Sequence, residues 1–219
     1  MCGRFAITLP SDAMSQLFEA QPINNLPDVP NFNVCPTNSI HVVISNEFGR
    51  KLESLRWGFV PSWYRKIDAG ALLINARSET LAQKPSFANA CRERRCLIPC
   101  SGFYEWSRGI DGKKIPWFIT RQDEMPLVFG GVWQEWGDEN GKIKTCAIVT
   151  TASNSKLSTI HHRLPLVLER NHWDLWLGEK GHGASVLMSP TADQTLGAYK
   201  VSEAINSNRS SGPDLVSPV

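Results

Sequence analysis

Four short stretches of this chain hold residues suited to covalent and acid–base chemistry. The first is "MCGRF" at 1–5. A small second residue such as Cys permits removal of the initiator methionine. The chain would then start with a 1,2-aminothiol, an amine and a thiol on adjacent carbons of Cys2. With Met1 retained, Cys2 is an ordinary thiol. The second stretch, "LLINARSE", follows an apolar run with Asn75, Arg77 and Glu79. Asn and Arg at a strand end can also simply hydrogen-bond a turn. The third, "SGFYEWS", sets Glu105 between Tyr104 and Trp106. On a strand Glu105 faces away from both aromatics. From this stretch alone a solvent-facing glutamate is the favoured reading. A carboxylate in an aromatic cleft would instead have a raised pKa and could move protons. The fourth, "STIHHRLPLVL", has adjacent histidines, His161 and His162, of which either could be structural or catalytic.

The cysteines invite a metal reading, which their spacing does not support. Cys91, Cys96 and Cys100 form no C-x-x-C pair. Pro99-Cys100 begins the Pro-Cys-x-x-Cys half of the zinc deaminase signature, but position 103 is Phe. Buried core thiols are the better reading, with no metal and no cofactor. The start lacks the basic segment and long apolar stretch of a signal peptide. No apolar run approaches the roughly 18 residues of a membrane span. The expectation is a cytoplasmic protein, nucleoid-associated in a bacterium, with no membrane partner and with its six cysteines reduced.

The 219 residues suit one domain with a sizeable core. Hydrophobic content of 42% is that of a globular chain, and a net charge of +2 does not by itself argue for nucleic acid. "CRERR" at 91–95 is a local exception, with three arginines within four positions. Ser11 is expected to cap a helix running through Ala20, followed by a coil over 21–33. Strands are expected at 39–45, 52–60, 96–98, 103–107, 115–120, 127–133, 144–150 and 164–169, with turns at 46–49, 111–112 and 140–141. Residues 78–94 read as a helix broken at Pro85, 154–160 as a short helix, and "HWDLWLG" as a helix stopped by Gly178. The tail 207–219 reads as poorly ordered. The sum is an α+β fold: a single β-rich domain made mostly of antiparallel pairs, with short helices.

Seven motifs, in order and across almost the whole chain, resemble the SOS response-associated peptidase (SRAP) family. They are "MCGRF" at 1–5, "FNVCPT" at 32–37, "RWGFVPSW" at 56–63, "INARSET" at 74–80, "CLIPCSGFYEW" at 96–106, "IHHRLP" at 160–165 and "YKVSEAIN" at 199–206. The resemblance implies an SRAP-like domain over 1–206, with mostly antiparallel, twisted sheets, a barrel-like core and short flanking helices; a monomer is the expectation for its assembly, which the sequence itself does not reveal. It implies loss of Met1 and attack by Cys2 on an abasic site in single-stranded DNA. The opened deoxyribose is an aldehyde. An amine with a reference pKa of about 7.7–8.0 is partly neutral near pH 7 and can form a Schiff base with it. The adjacent thiol can then close a thiazolidine ring, a more stable adduct than a lysine imine.

By the same resemblance Glu105 handles the protons of Cys2, His161 assists ring opening and imine formation, and Asn75 orients the amine or substrate. Arg4, Arg77 and Arg163 match arginines lining the family's DNA groove. Trp63 and Tyr64 match an aromatic pair stacking beside the lesion, although a Trp is also a ready core residue. His162 departs from the acidic residue common in relatives, and Cys35 from their Ala. The binding scheme is cations on phosphates and aromatics under bases, with little sequence readout. Two rival functions remain open at this point. One is a cysteine peptidase acting autoproteolytically at its own N-terminus. The other is a non-covalent reader of modified bases, which needs the groove but neither Cys2 nor Glu105.

Overall fold

The computed structural model of the chain describes residues 2–23, 25–138 and 141–219. Expectations for Met1 and for Asn140 of the turn at 140–141 lie outside the described residues. In chain order the elements are β1 (Phe5–Ile7), α1 (Ser11–Phe18), β2 (Gln21–Pro22), β3 (Asn31–Val34), β4 (Ser39–Asn46), β5 (Gly49–Trp57) and β6 (Asn75–Arg77). There follow α2 (Pro85–Glu93), β7 (Arg95–Cys100), β8 (Gly102–Arg108), β9 (Lys114–Arg121) and β10 (Leu127–Asp138). The chain ends with β11 (Gly141–Ala152), β12 (Arg163–Pro165), α3 (Trp173–Leu177) and β13 (Leu196–Lys200).

Five strands close on themselves. β11 pairs with β10, β10 with β7, β7 with β4 and β4 with β5, all antiparallel. β5 then returns to β11 in parallel, Arg56 opposite Thr145 and Trp57 opposite Cys146. Closure removes the exposed edges an open sheet would leave. A second sheet, in the order β13-β9-β8-β1-β3, is wholly antiparallel. This is the expected single β-rich domain with a barrel-like core and a few short helices.

The two sheets meet through aromatic rings. Phe5 of β1 lies 5.1 Å from Trp57 and 6.4 Å from Phe129, and Phe103 of β8 lies 5.7 Å from Phe129, measured between centroids. All four are buried. Each such pair adds about 0.5–1.5 kcal/mol beyond area burial. The chain steps between sheets at Cys100–Gly102, where a Cβ on Gly102 would run into the Phe118 ring. Only glycine fits there.

Several local expectations are corrected. Ser11 is not a cap: its hydroxyl lies 3.2 Å from His41 Nε2, and Pro10 occupies the N-cap. Pro85 does not break a helix but starts α2 at its first turn, where a missing N–H costs nothing. Residues 155–160 form consecutive turns, pinned by the Asn154 side chain accepting from Leu157 N–H, and not a helix. The segment 207–219 is packed. Leu215 is buried with Tyr104, Phe118, Val201 and Ile205, Tyr199 donates to the Val216 carbonyl at 2.8 Å, and Val201 bridges to Pro218. Its Ser, Asn and Pro content masked one buried leucine and a set of carbonyls that side chains from the sheet seek out.

Candidate active site

β1 delivers Cys2. With Phe5 locked in the aromatic cluster, the residues just before it lie along β8. The register Phe5 opposite Phe103, continued by the Tyr104 N–H to Arg4 carbonyl bond at 2.9 Å, sets Glu105 opposite Gly3. Cys2 is fully buried. Burial pushes its thiol far above the ordinary range, and the neighbouring Glu105 carboxylate pushes it further. The thiol is therefore held neutral.

The solvent-facing reading of Glu105 is overturned. It is 3% exposed. Strand alternation sends Tyr104 into the small cluster beneath the C-terminal segment, and Phe103 and Glu105 to the barrel side. Burial raises the Glu105 carboxyl above its usual range.

β6 brings Asn75. Parallel pairing on β11 places Asn75 opposite Ile148 and Arg77 opposite Thr150. The Asn75 amide donates to the Cys2 carbonyl at 2.7 Å. This clamp fixes the residue that would carry the reacting amine.

His161 follows the pinned turns after β11. Its Nδ1 lies 3.9 Å from Glu105 Oε1. The same nitrogen lies 2.9 Å from the Arg163 carbonyl and 3.0 Å from the Arg163 N–H. Protonated, Nδ1 can donate to the carbonyl; unprotonated, it can accept from the N–H. The Arg163 backbone thus serves either protonation state, which suits a group that takes and returns a proton. Burial lowers the His161 pKa below its ordinary value. His162 stacks on it at 4.4 Å and is exposed, its own pKa lowered by the charge of His161.

The expected DNA-binding residues fall into two groups. Trp63 is 56% exposed, which rules out the core reading. It packs edge-on to Tyr64 at 6.5 Å on the loop after β5, and that loop is tied down by Trp136 Nε1 donating to the Tyr64 carbonyl. Arg77 is exposed beside Asn75. The other two arginines are engaged in the scaffold. Arg163 is 8% exposed and forks onto Glu79 at 2.6 and 2.9 Å, with Thr150 carbonyl also accepting from it. Its guanidinium holds Glu79 below the usual carboxylate range. Arg4 donates through Nη1 to Asn33 Oδ1 at 2.6 Å and to the Ile205 carbonyl at 3.1 Å.

Asn33 is an anchoring residue that the sequence did not single out. Its side chain accepts from Arg4 and donates to the Ser207 and Ser210 carbonyls, at 3.2 and 2.6 Å. It ties the segment that carries Cys2 to the C-terminal segment. Its place in "FNVCPT" was the available signal. Cys96 and Cys100 are buried and Cys91 is half-buried, consistent with packed thiols. Among the described residues no three His, Cys, Asp or Glu side chains gather as metal ligands. No described helix is long and apolar enough to cross a membrane.

The chain is similar to known proteins along its length. The family model described as SOS response associated peptidase (SRAP) matches residues 1–208. The chain is 34% identical to the abasic site processing protein YoqW of Bacillus subtilis over 99% of both chains. It is 28% identical to abasic site processing protein YedK of Escherichia coli over the full length of both. It is 29% identical to abasic site processing protein HMCES of Pongo abelii, covering 76% of that protein. A crystal structure of a Bacteroides thetaiotaomicron protein superposes with a TM-score of 0.87 at 23% identity over the whole of both chains, which shows the shared fold.

Proposed function

Because the chain belongs to the SOS response associated peptidase family, we propose that it processes abasic sites by capturing them covalently in single-stranded DNA through Cys2. The family role in abasic-site processing is the coarse part of this reading, since relatives spanning its full length carry that description. The finer part is a thiazolidine crosslink that shields the lesion inside the cell during a DNA-damage response.

The observation that carries it is the convergence on Cys2. Asn75 holds its carbonyl at 2.7 Å, and Glu105, 3.9 Å from His161 Nδ1, bears electrostatically on its thiol. In the proposed sequence Met1 is removed first, exposing the Cys2 amine. His161 gives a proton to the ring oxygen of the abasic sugar, the O4′–C1′ bond breaks, and the C1′ hydroxyl gives up its proton, which returns to His161 through water, leaving the C1′ aldehyde. The neutral amine adds to C1′, and the carbinolamine loses water to give an imine. The thiol then adds to the imine carbon, its proton passing through Glu105 to the nitrogen. The balance is aminothiol plus aldehyde giving thiazolidine plus one water, with no oxidant or reductant. A buried, neutral thiol suits this order, because it does not compete with the amine for the first addition. Trp63, Tyr64 and Arg77 supply stacking and phosphate contacts in this reading.

The test is incubation with an abasic oligonucleotide and a denaturing gel, with intact mass read beside it. A heat-stable shifted band from protein lacking Met1 is the expected result. No band from such protein, or an undiminished band from Cys2→Ala, overturns the reading. A peptidase or a non-covalent reader gives no band.

A further inference from the structure

A pocket that adjoins the reactive site in the sequence is lined by hydrogen-bond donors among small and apolar residues, with no carboxylate. It encloses about 290 Å³ between the chain after β6, the C-terminal turn of α2 and the short turn at 182–188. Ser78, Arg92, Arg95, His182 and Ser185 line it, with half-buried Cys91, and no Asp or Glu does. Arg95 uses Nε on the Trp176 carbonyl at 2.5 Å and Nη1 on the Cys91 and Arg92 carbonyls at 2.8 Å. All three acceptors are neutral. Burial lowers the Arg95 pKa, the sign expected when a cation lacks a counter-charge. Among the described residues no carboxylate pairs with Arg92 or Arg95; Glu93 turns to Arg94 instead. Two guanidiniums, an imidazole and two hydroxyls around a small cavity match the donor chemistry that holds a phosphate.

Its place suggests whose phosphate. β6 runs from Asn75, bonded to Cys2, to exposed Arg77, and Ser78 of the pocket follows directly. At about 3.3 Å per residue the step from Asn75 to Ser78 is about 10 Å. A strand leaving the reactive site along β6 passes Arg77 and then meets this pocket.

We propose that this pocket is a phosphate subsite for the single strand flanking the lesion. The proposal rests on the abasic-DNA reading above and adds a subsite remote from the chemistry.

The test uses unmodified single-stranded oligonucleotides of increasing length, bound across a salt series to the wild type and to Arg92→Gln/His182→Gln. Both substituted residues are exposed, so the variant keeps its fold. For long oligonucleotides the log affinity against log salt is expected to flatten by about 0.7 for each phosphate that the variant no longer neutralises, with no change for the shortest. Long oligonucleotides are also expected to slow alkylation of Cys91 in the wild type, and short ones not. Equal slopes at every length overturn the proposal, as does an equal loss with the shortest. If inorganic phosphate at constant ionic strength binds the wild type while the long-strand slope is unchanged in the variant, the pocket takes a free anion and the strand assignment is overturned. Crosslinking of a short abasic oligonucleotide reads the reactive site separately, so its failure would count against the aminothiol mechanism alone.

Discussion

Two regions of this protein set ionisable side chains against one another and treat their charges oppositely. Around Arg50 a cavity of about 680 Å³ is lined by Arg170, Trp173, Asp174 and Glu179. There each charge meets its opposite. Arg50 donates to Asp174 at 2.6 Å, to Glu179 at 2.9 and 2.7 Å, and to the Phe18 carbonyl at 3.2 Å. The Glu179 bonds raise the Arg50 pKa, and Lys180 with Arg50 lowers that of Asp174. Every shift favours the charged form, so no proton moves near neutrality. Burial is the leading influence on Cys2, Glu105 and His161, and it drives all three toward neutrality. The ordinary carboxyl and imidazole values of about 4.3 and 6.5 move toward each other, which lowers the cost of passing a proton between them. The direction of these shifts, toward the charged forms at Arg50 and toward the neutral forms at Cys2, is what distinguishes the two regions.

Cys2→Ala should break that contrast most completely, by abolishing the heat-stable adduct while leaving most DNA binding. Affinity for undamaged single strands, measured beside the gel, checks that the groove survives. Next in size are Glu105→Gln and His161→Ala. Positioned acid–base groups contribute about 10²–10⁴-fold, so each should slow single-turnover crosslinking by a factor in that range while the final adduct keeps its mass. His162→Ala should do less, because His161 is the one facing Glu105. Wild-type rates in both variants would leave the buried carboxylate and imidazole without a role. On the other side of the contrast, Arg50→Ala should leave crosslinking unchanged and cost about 1–3 kcal/mol of stability, through carboxylates left without their donor. Thermal denaturation would show a drop of several degrees. A crosslinking defect without a stability loss would mean that the two regions are not separate.

The sequence made the chemistry more legible than its mounting. Cys2, Asn75, Glu105 and His161 are weak signals one by one, and only the resemblance of seven ordered motifs to one family singles them out; the structure sets the Asn75 amide on the Cys2 carbonyl and His161 at 3.9 Å from Glu105. The longer strands were also readable, because β-branched runs and turn residues are local signals; β1, β2, β3, β6 and β13 were not, and β2 and most of β3 fall in the stretch 21–33 that reads as coil. The β5–β11 closure was not, since a parallel pairing between residues 56–57 and 145–146 leaves no local trace. The burial of Glu105 was not readable either. Alternation says which residues share a face, not which face is covered, and here both are. Nor did residue type reveal the engagement of Arg4 and Arg163. An arginine on a phosphate and an arginine on a carboxylate look the same in sequence, and Asn33 and Glu79 are the partners that decide.

The smallest effect separates the arginines themselves. Arg77 is exposed at the end of β6, so Arg77→Ala should flatten the salt dependence of single-strand binding by about 0.7 in log–log slope and leave stability alone. Arg163 is buried on Glu79 and Thr150, so Arg163→Ala should leave the slope unchanged and lower stability instead. The stability loss has a pH signature. Arg163 holds the Glu79 pKa below its unfolded value. Such a carboxylate stabilises the fold fully above the unfolded value of about 4.3 and loses that contribution as pH falls through the lower folded value. The gap between wild type and Arg163→Ala should therefore be constant from pH 7 down to about 4.3, and then narrow. Denaturant midpoints across that range, with salt titrations of DNA binding beside them, test both halves. A flattened slope in Arg163→Ala would mean that phosphate displaces Glu79 from the fork when DNA binds. Arg163 would then rejoin Arg77 as a DNA-binding residue, and Glu79 would be the group that holds its place in the empty protein.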